Sequence, residues 1–251
     1  MFAKDAVALV TGAATGIGLA TAQAFAHAGC DVVIADIDGQ RGEQAATRIR
    51  ELGKKSLFIQ TDIAQPADVL RLHRQTVAAF GRLDAACNNA GIEGQPGLTA
   101  EASLENFDRI ISVNLRGLFV CIQEQLKIMQ GQASGAIVNI ASVAGLVGFS
   151  GLSAYCASKG GVIQLTKTVA LEYATSGIRV NAVCPGAIQT EMIDRITHKD
   201  PAIEAQFSAL HPLNRMGTAV EVADTVVWLC SSQASFITGH ALAVDGGMLA
   251  R

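Results

Sequence analysis

The stretch Val7-Ala8-Leu9-Val10-Thr11-Gly12-Ala13-Ala14-Thr15-Gly16-Ile17-Gly18 decides how this chain folds. Val7 to Val10 is a short apolar, β-branched run and reads as a buried strand. It runs into glycines at positions 12, 16 and 18, after which a helix is expected. Glycines at such a junction allow a tight turn, close backbone approach to a pyrophosphate and close helix packing, with the helix N-terminus facing the anion. Gly12, Thr15, Gly16, Ile17 and Gly18 are therefore candidates for holding a dinucleotide. The spacing is G-x-x-x-G-x-G, not G-x-G-x-x-G, and glycines in such an isolated motif can also merely turn a chain.

Outward from this loop, strand-like runs recur at Asp31 to Ala35, Leu57 to Gln60, Leu83 to Cys87, Ala136 to Ala141, Arg179 to Val183 and Ala241 to Val244. Amphipathic segments such as Leu70 to Phe80 and Leu104 to Met129 lie between them. That alternation predicts right-handed βαβ units and an α/β fold: one doubly wound, Rossmann-type domain over residues 1–251, with helices on both faces of a parallel sheet. Asp36 ends the second strand eighteen residues after Gly18. A carboxylate there accepts hydrogen bonds from adenosine ribose hydroxyls and repels a 2′-phosphate, which points to NAD. Ala13, Ala14, Thr15 and Ile37 offer no cation for such a phosphate, and Arg41 is the only one nearby. An Asp in this place can also cap a turn or a helix.

A second stretch carries reactive groups: Ser142-Val-Ala-Gly-Leu-Val-Gly-Phe-Ser-Gly-Leu-Ser-Ala-Tyr155-Cys-Ala-Ser-Lys159. Tyr155 and Lys159 are four apart on a helical run and share one face. Ser142 closes the strand that precedes them, at the sheet edge where open α/β folds bind ligands. A phenol titrates near pH 10, so making it a base at about pH 7 takes roughly 4 kcal/mol of preferential stabilisation of the phenolate. The Lys159 ammonium and a positive cofactor ring are expected to supply it. Tyr155 would then exchange the proton while Ser142 holds the substrate oxygen. The route needs no metal, and the five histidines are scattered without ligand spacing.

Ser142, Tyr155-x-x-x-Lys159 and the glycine loop together resemble the short-chain dehydrogenase/reductase family, over essentially the whole chain. The resemblance implies a seventh strand and an NAD(H)-dependent oxidation of secondary alcohols or reduction of their ketones. It assigns Asn114 to a water that links Lys159 to solvent. Asp62 and Ile63 are assigned to the adenine, and Asn88, Ala90 and Gly91 to the adenosine side, with Ile37 and Val113 beside the cofactor. Pro185, Gly186, Ile188 and Thr190 fall near the nicotinamide, and Lys159 on its ribose. Residues 188–215 become a substrate-covering lid. Val143, Ala144, Leu146, Val147, Phe149, Ala187, Met192, Ile193 and Phe207 are expected to line a mostly apolar pocket, to which Glu93 could add one polar contact. The family also implies a D2 homotetramer built through the long helices and the C-terminal strand.

Composition narrows the alternatives. Half the residues are apolar and 16% charged, and the net charge of −3 brings no basic patch, so nucleic acid is not expected as a partner. Six cysteines without a C-x-x-C pair, several inside apolar runs, read as reduced core thiols in a cytoplasmic protein. The uncharged stretch 6–26 is interrupted by Gly and Thr, so a nucleotide loop explains it better than a signal peptide. The stretch 128–158, rich in Gly, Ser, Asn and Gln with a period that changes midway, reads as strand, loop and helix and not as a membrane span. A 3-oxoacyl thioester reductase is an alternative that would favour NADPH and a basic surface. A non-catalytic dinucleotide sensor is another, of a kind that usually loses the Tyr or the Lys.

Overall fold

A computed structural model describes residues 2–250. Seven strands form one parallel sheet: β1 (Val7–Thr11), β2 (Asp31–Asp36), β3 (Ser56–Gln60), β4 (Ala85–Asn88), β5 (Gly135–Ile140), β6 (Ile178–Pro185) and, last in the chain, Ala241–Val244. The last strand, counting the two short ones introduced below, is β9. Their order is β3-β2-β1-β4-β5-β6-β9, so the winding reverses between β1 and β4. A crevice opens there at the C-terminal ends of the strands.

Strand residues alternate between two apolar layers because successive side chains point to opposite faces. Ala8, Val10, Val32, Ile34, Cys87 and Val138 pack on one side against Phe25 of α1 (Gly16–His27), Ile49 of α2 (Gly39–Glu51) and Val226 of α9 (Ala219–Cys230). Leu9, Val33, Ala86, Ile137 and Val180 pack on the other against Leu72 of α3 (Pro66–Phe80), Ile122 and Met129 of α5 (Leu118–Gln132), and Val162 of α6 (Ser153–Tyr173). Both faces are covered, which is why the strands read as near-continuous apolar runs.

Two features depart from the expected pattern. The helical stretch 104–129 is interrupted: α4 (Leu104–Ile111) passes into α5 through a π-helical turn at Ser112–Gly117. Two short strands, β7 (Ile188–Gln189) and β8 (Gly217–Thr218), pair beyond the main sheet. Between them α7 (Glu191–Thr197) and α8 (Pro201–Ala209) lie beside the crevice, joined through His198 and Lys199, both in the left-handed region.

Candidate active site

The ends of β1 and β4 are laced together. Thr11 Oγ1 accepts from the Asn89 and Ala90 amides at 3.1 and 3.2 Å, while Asn89 Nδ2 donates to the carbonyls of Thr11 and Gly12. Gly12 has φ +62°, and a Cβ on it would lie 2.8 Å from Ala90 Cα; one on Gly18 would lie 2.0 Å from the Gly12 oxygen. Glycine is required at both, for the turn at the first and for helix packing at the second. Thr15 precedes α1 and makes no side-chain cap bond, leaving the helix N-terminal amides directed at the loop. Asp36 Oδ2 accepts from Ala14 N at 2.8 Å and Oδ1 from Asp38 N at 3.0 Å. The carboxylate thus ties the glycine loop to its own strand end and also stands in a cavity wall.

That cavity, of about 320 Å³, is lined by Gly12, Thr15, Gly16, Ile17, Asp36, Ile37, Asp62, Ile63, Ala90, Gly91, Val113 and Thr190, all anticipated. Thr61, Asn89, Ile92, Glu191, Met192 and Arg195 complete it. A second cavity, of about 290 Å³, shares Ile17, Asn89, Gly91, Thr190 and Met192 with the first. Its walls include Ser142, Tyr155, Lys159, Pro185, Gly186 and Ile188 among largely apolar side chains. Of the expected apolar lining, Val143, Ala144, Phe149, Ala187, Met192, Ile193 and Phe207 are present. Leu146 and Val147 stand outside it as exposed side chains.

Tyr155 and Ser142 share a hydrogen bond. Lys159 Nζ lies 5.7 Å from the Tyr155 ring centroid and donates to the Ile140 carbonyl at 2.8 Å. Burial pushes the phenol up to about 12; the Ser142 bond opposes this, and the Glu93 carboxylate and Cys156 add to it. The expected lowering toward neutrality calls for the positive cofactor ring as well as Lys159. Lys159 is itself buried, which draws its ammonium down to about 8, and it is turned to a backbone carbonyl. Glu93 is paired with Arg195 of α7 at 3.1 and 3.3 Å.

Three predicted residues do not face either cavity. Gly18 acts through packing. Asn88 is buried within β4, where Nδ2 donates to Gln125 and Asn139, so its neighbour Asn89 takes the cavity wall. Asn114 is buried in the π-helical turn: Oδ1 accepts from Ile92 N, and Nδ2 donates to Ile92 O and Ser158 Oγ. Asn114 and Lys159 nevertheless converge, since a Cβ on Gly91 would lie 3.3 Å from Asn114 Oδ1 and 3.4 Å from Lys159 Nζ.

Residues 12–249 match a dehydrogenase/reductase family model described as enoyl-(acyl carrier protein) reductase. The chain belongs to the short-chain dehydrogenase/reductase family. Within that family it is 43% identical to the 2,5-dichloro-2,5-cyclohexadiene-1,4-diol dehydrogenase of Sphingobium indicum, with 96% of each chain covered. It is 42% identical to the cyclohexanol dehydrogenase of an Acinetobacter species, over 97% of this chain and 94% of that one. The crystal structure of levodione reductase superposes with a TM-score of 0.95 at 37% identity, covering 98% of both chains. Within the run Asn88-Asn89-Ala90-Gly91, Asn89 is the amide that lines the cavity, where the sequence had put forward Asn88. Its signal was its place one residue beyond the strand, where the chain leaves the sheet.

Proposed function

We propose that this enzyme is an NAD-dependent oxidoreductase that transfers a hydride between NAD(H) and a mostly apolar secondary alcohol or its ketone. The observation that carries the reading is the Ser142–Tyr155 hydrogen bond, with Lys159 beside the ring, in an apolar cavity that opens into one rimmed by the glycine loop and Asp36. The fit to a dinucleotide rests on the tight glycine turn at Gly12, which packs too closely on Ala90 for any Cβ, on the uncapped start of α1 and on the Asp36 carboxylate in the cavity wall. Asp36 would hold the adenosine ribose hydroxyls, the α1 N-terminus the pyrophosphate, and Lys159 the nicotinamide ribose. Asp62, Ile63 and Val113 would flank the adenine half, and Ile188 and Thr190 the carboxamide.

A bound nicotinamide supplies or accepts the hydride. Ser142 orients the substrate oxygen. Tyr155, neutral at physiological pH, donates its proton as a ketone is reduced and must first lose it for an alcohol to be oxidised. Two relatives, one a cyclohexanol and one a dichlorocyclohexadienediol dehydrogenase, support cyclic secondary alcohols as the first substrates to try. α7 and α8 would act as the cover of this site, the assembly would be a homotetramer, and six free thiols suit a reducing cytoplasm. A thioester reductase using NADPH is the less favoured reading: a 2′-phosphate would set about two negative charges against Asp36.

The test is steady-state turnover of cyclohexanol and cyclohexanone with NAD(H) and NADP(H). NAD is expected to be favoured on the order of a hundredfold in kcat/KM. Tyr155→Phe should bind NADH normally and lose at least about a hundredfold in turnover. Near-normal turnover by that variant overturns the mechanism, and equal efficiency with NADP overturns the role of Asp36.

A further inference from the structure

His211 follows α8 and is buried. Its ring is engaged at both nitrogens: Nδ1 lies 2.9 Å from the Phe207 carbonyl oxygen, and Nε2 lies 3.1 Å from the Ala187 amide nitrogen. A carbonyl oxygen accepts and an amide N–H donates, so these partners fix a neutral imidazole with its proton on Nδ1. One ring thereby joins two segments that both line the cavity containing Tyr155. Phe207 and Leu210 stand on one, and Pro185, Gly186 and Ala187 on the other.

The surroundings are built for this contact. A Cβ on Gly186 would lie 2.6 Å from His211 Nε2, so glycine leaves the room in which the ring docks. The Ala187 carbonyl in turn accepts from Gly217 N at 2.9 Å, which holds the same short segment from β8. Nothing in the chemistry of hydride or proton transfer calls for His211. Its partners are backbone groups alone.

We propose that His211 is a positioning residue: its neutral ring clasps the Gly186–Ala187 turn to the end of α8 and so sets the width of the substrate cavity. This rests on the reading of that cavity as the substrate site. The residues the clasp holds line the cavity around Tyr155, and none of them lines the one around Asp36.

Three variants test it. His211→Phe keeps a ring and removes both pairings, His211→Gln keeps an amide able to accept from Ala187 N–H, and Gly186→Ala places a methyl where Nε2 lies. Hydrogen exchange at the Ala187 amide should accelerate in His211→Phe and in Gly186→Ala, and stay slow in His211→Gln. Alcohol KM should rise about tenfold in His211→Phe, as expected for one buried donor left unpaired. Its NADH Kd should change by less than about twofold, and His211→Gln should recover most of the loss in KM. The clasp is refuted by a protected Ala187 amide in His211→Phe, by equal KM rises in the Phe and Gln variants, or by an NADH Kd that rises in step with KM. Should His211→Phe fail to fold, Gly186→Ala decides by exchange at the Ala187 amide, which stays protected only if the clasp does not hold it. Absence of turnover in the unmodified chain would defeat the oxidoreductase reading, while amide exchange would still decide the clasp.

Discussion

Lys159 is held at a cost that its place beside Tyr155 explains. Its ammonium is buried and its pKa is drawn from 10.5 down to about 8. Below about pH 8 both folded and unfolded chains carry the proton, and the whole penalty, about 3 kcal/mol, stands. Between about pH 8 and 10.5 the unfolded chain binds more protons than the folded one, so stability rises with pH. We expect the cofactor-free protein to gain about 2 kcal/mol from this group between pH 7 and pH 10. Lys159→Met should lack that gain, because no proton is then at stake. Denaturant unfolding of both proteins at several pH values measures it, and parallel pH curves would contradict it. The Ser142, Tyr155 and Lys159 constellation was legible because a strand end and a four-residue helical spacing survive in sequence. The burial that raises the Tyr155 phenol in the cofactor-free chain was not, since depth in the fold leaves no mark in sequence. Nor was the exchange of Asn88 for Asn89, which turns on β4 extending one residue further than its apolar run.

The π-helical turn shows what periodicity misses at the scale of an element. An amphipathic pattern over 104–129 reads as one helix, yet one widened turn at Ser112–Gly117 sets Asn114 inward against Ile92. Only the polarity of Asn114 in an apolar stretch marked the place, and an unpaired buried amide demanded a partner. Its side chain finds the Ile92 peptide and the Ser158 hydroxyl. Asn114→Ala would strand both the N–H and the C=O of Ile92. We expect it to cost about 2 kcal/mol of stability, and to lower turnover as well because Lys159 packs at the same point over Gly91. A loss below about 0.5 kcal/mol in denaturant unfolding would mean that the Ile92 peptide finds other partners. The sheet strands were legible as apolar runs bounded by turn residues. β7 and β8 have two residues each, too few for any period.

At the scale of the whole molecule, exposed apolar side chains stand on both sets of elements expected to join the copies. Leu104 on α4 and Leu171 on α6 are 79% and 83% exposed, with Phe107 and Phe119 on the neighbouring turns also exposed. Phe236, between α9 and β9, is as exposed as a side chain can be, and Trp228 on α9 is partly so. β9 is moreover the outer strand of the sheet and only half-buried. Large exposed apolar groups mark interaction surfaces, and a strand edge invites cover. Two separate self-complementary faces, each closing about its own two-fold axis, generate D2 symmetry and four copies. Light scattering at micromolar concentration should therefore give the mass of four chains. Leu104→Glu combined with Leu171→Glu should leave dimers joined through the C-terminal face, and Phe236→Asp should leave dimers joined through the long helices. All three changes together should give monomers that keep the fold, because none of these side chains belongs to either apolar core layer. A monomeric unmodified protein, or variants that all remain tetrameric, would show that these faces are not where the copies meet.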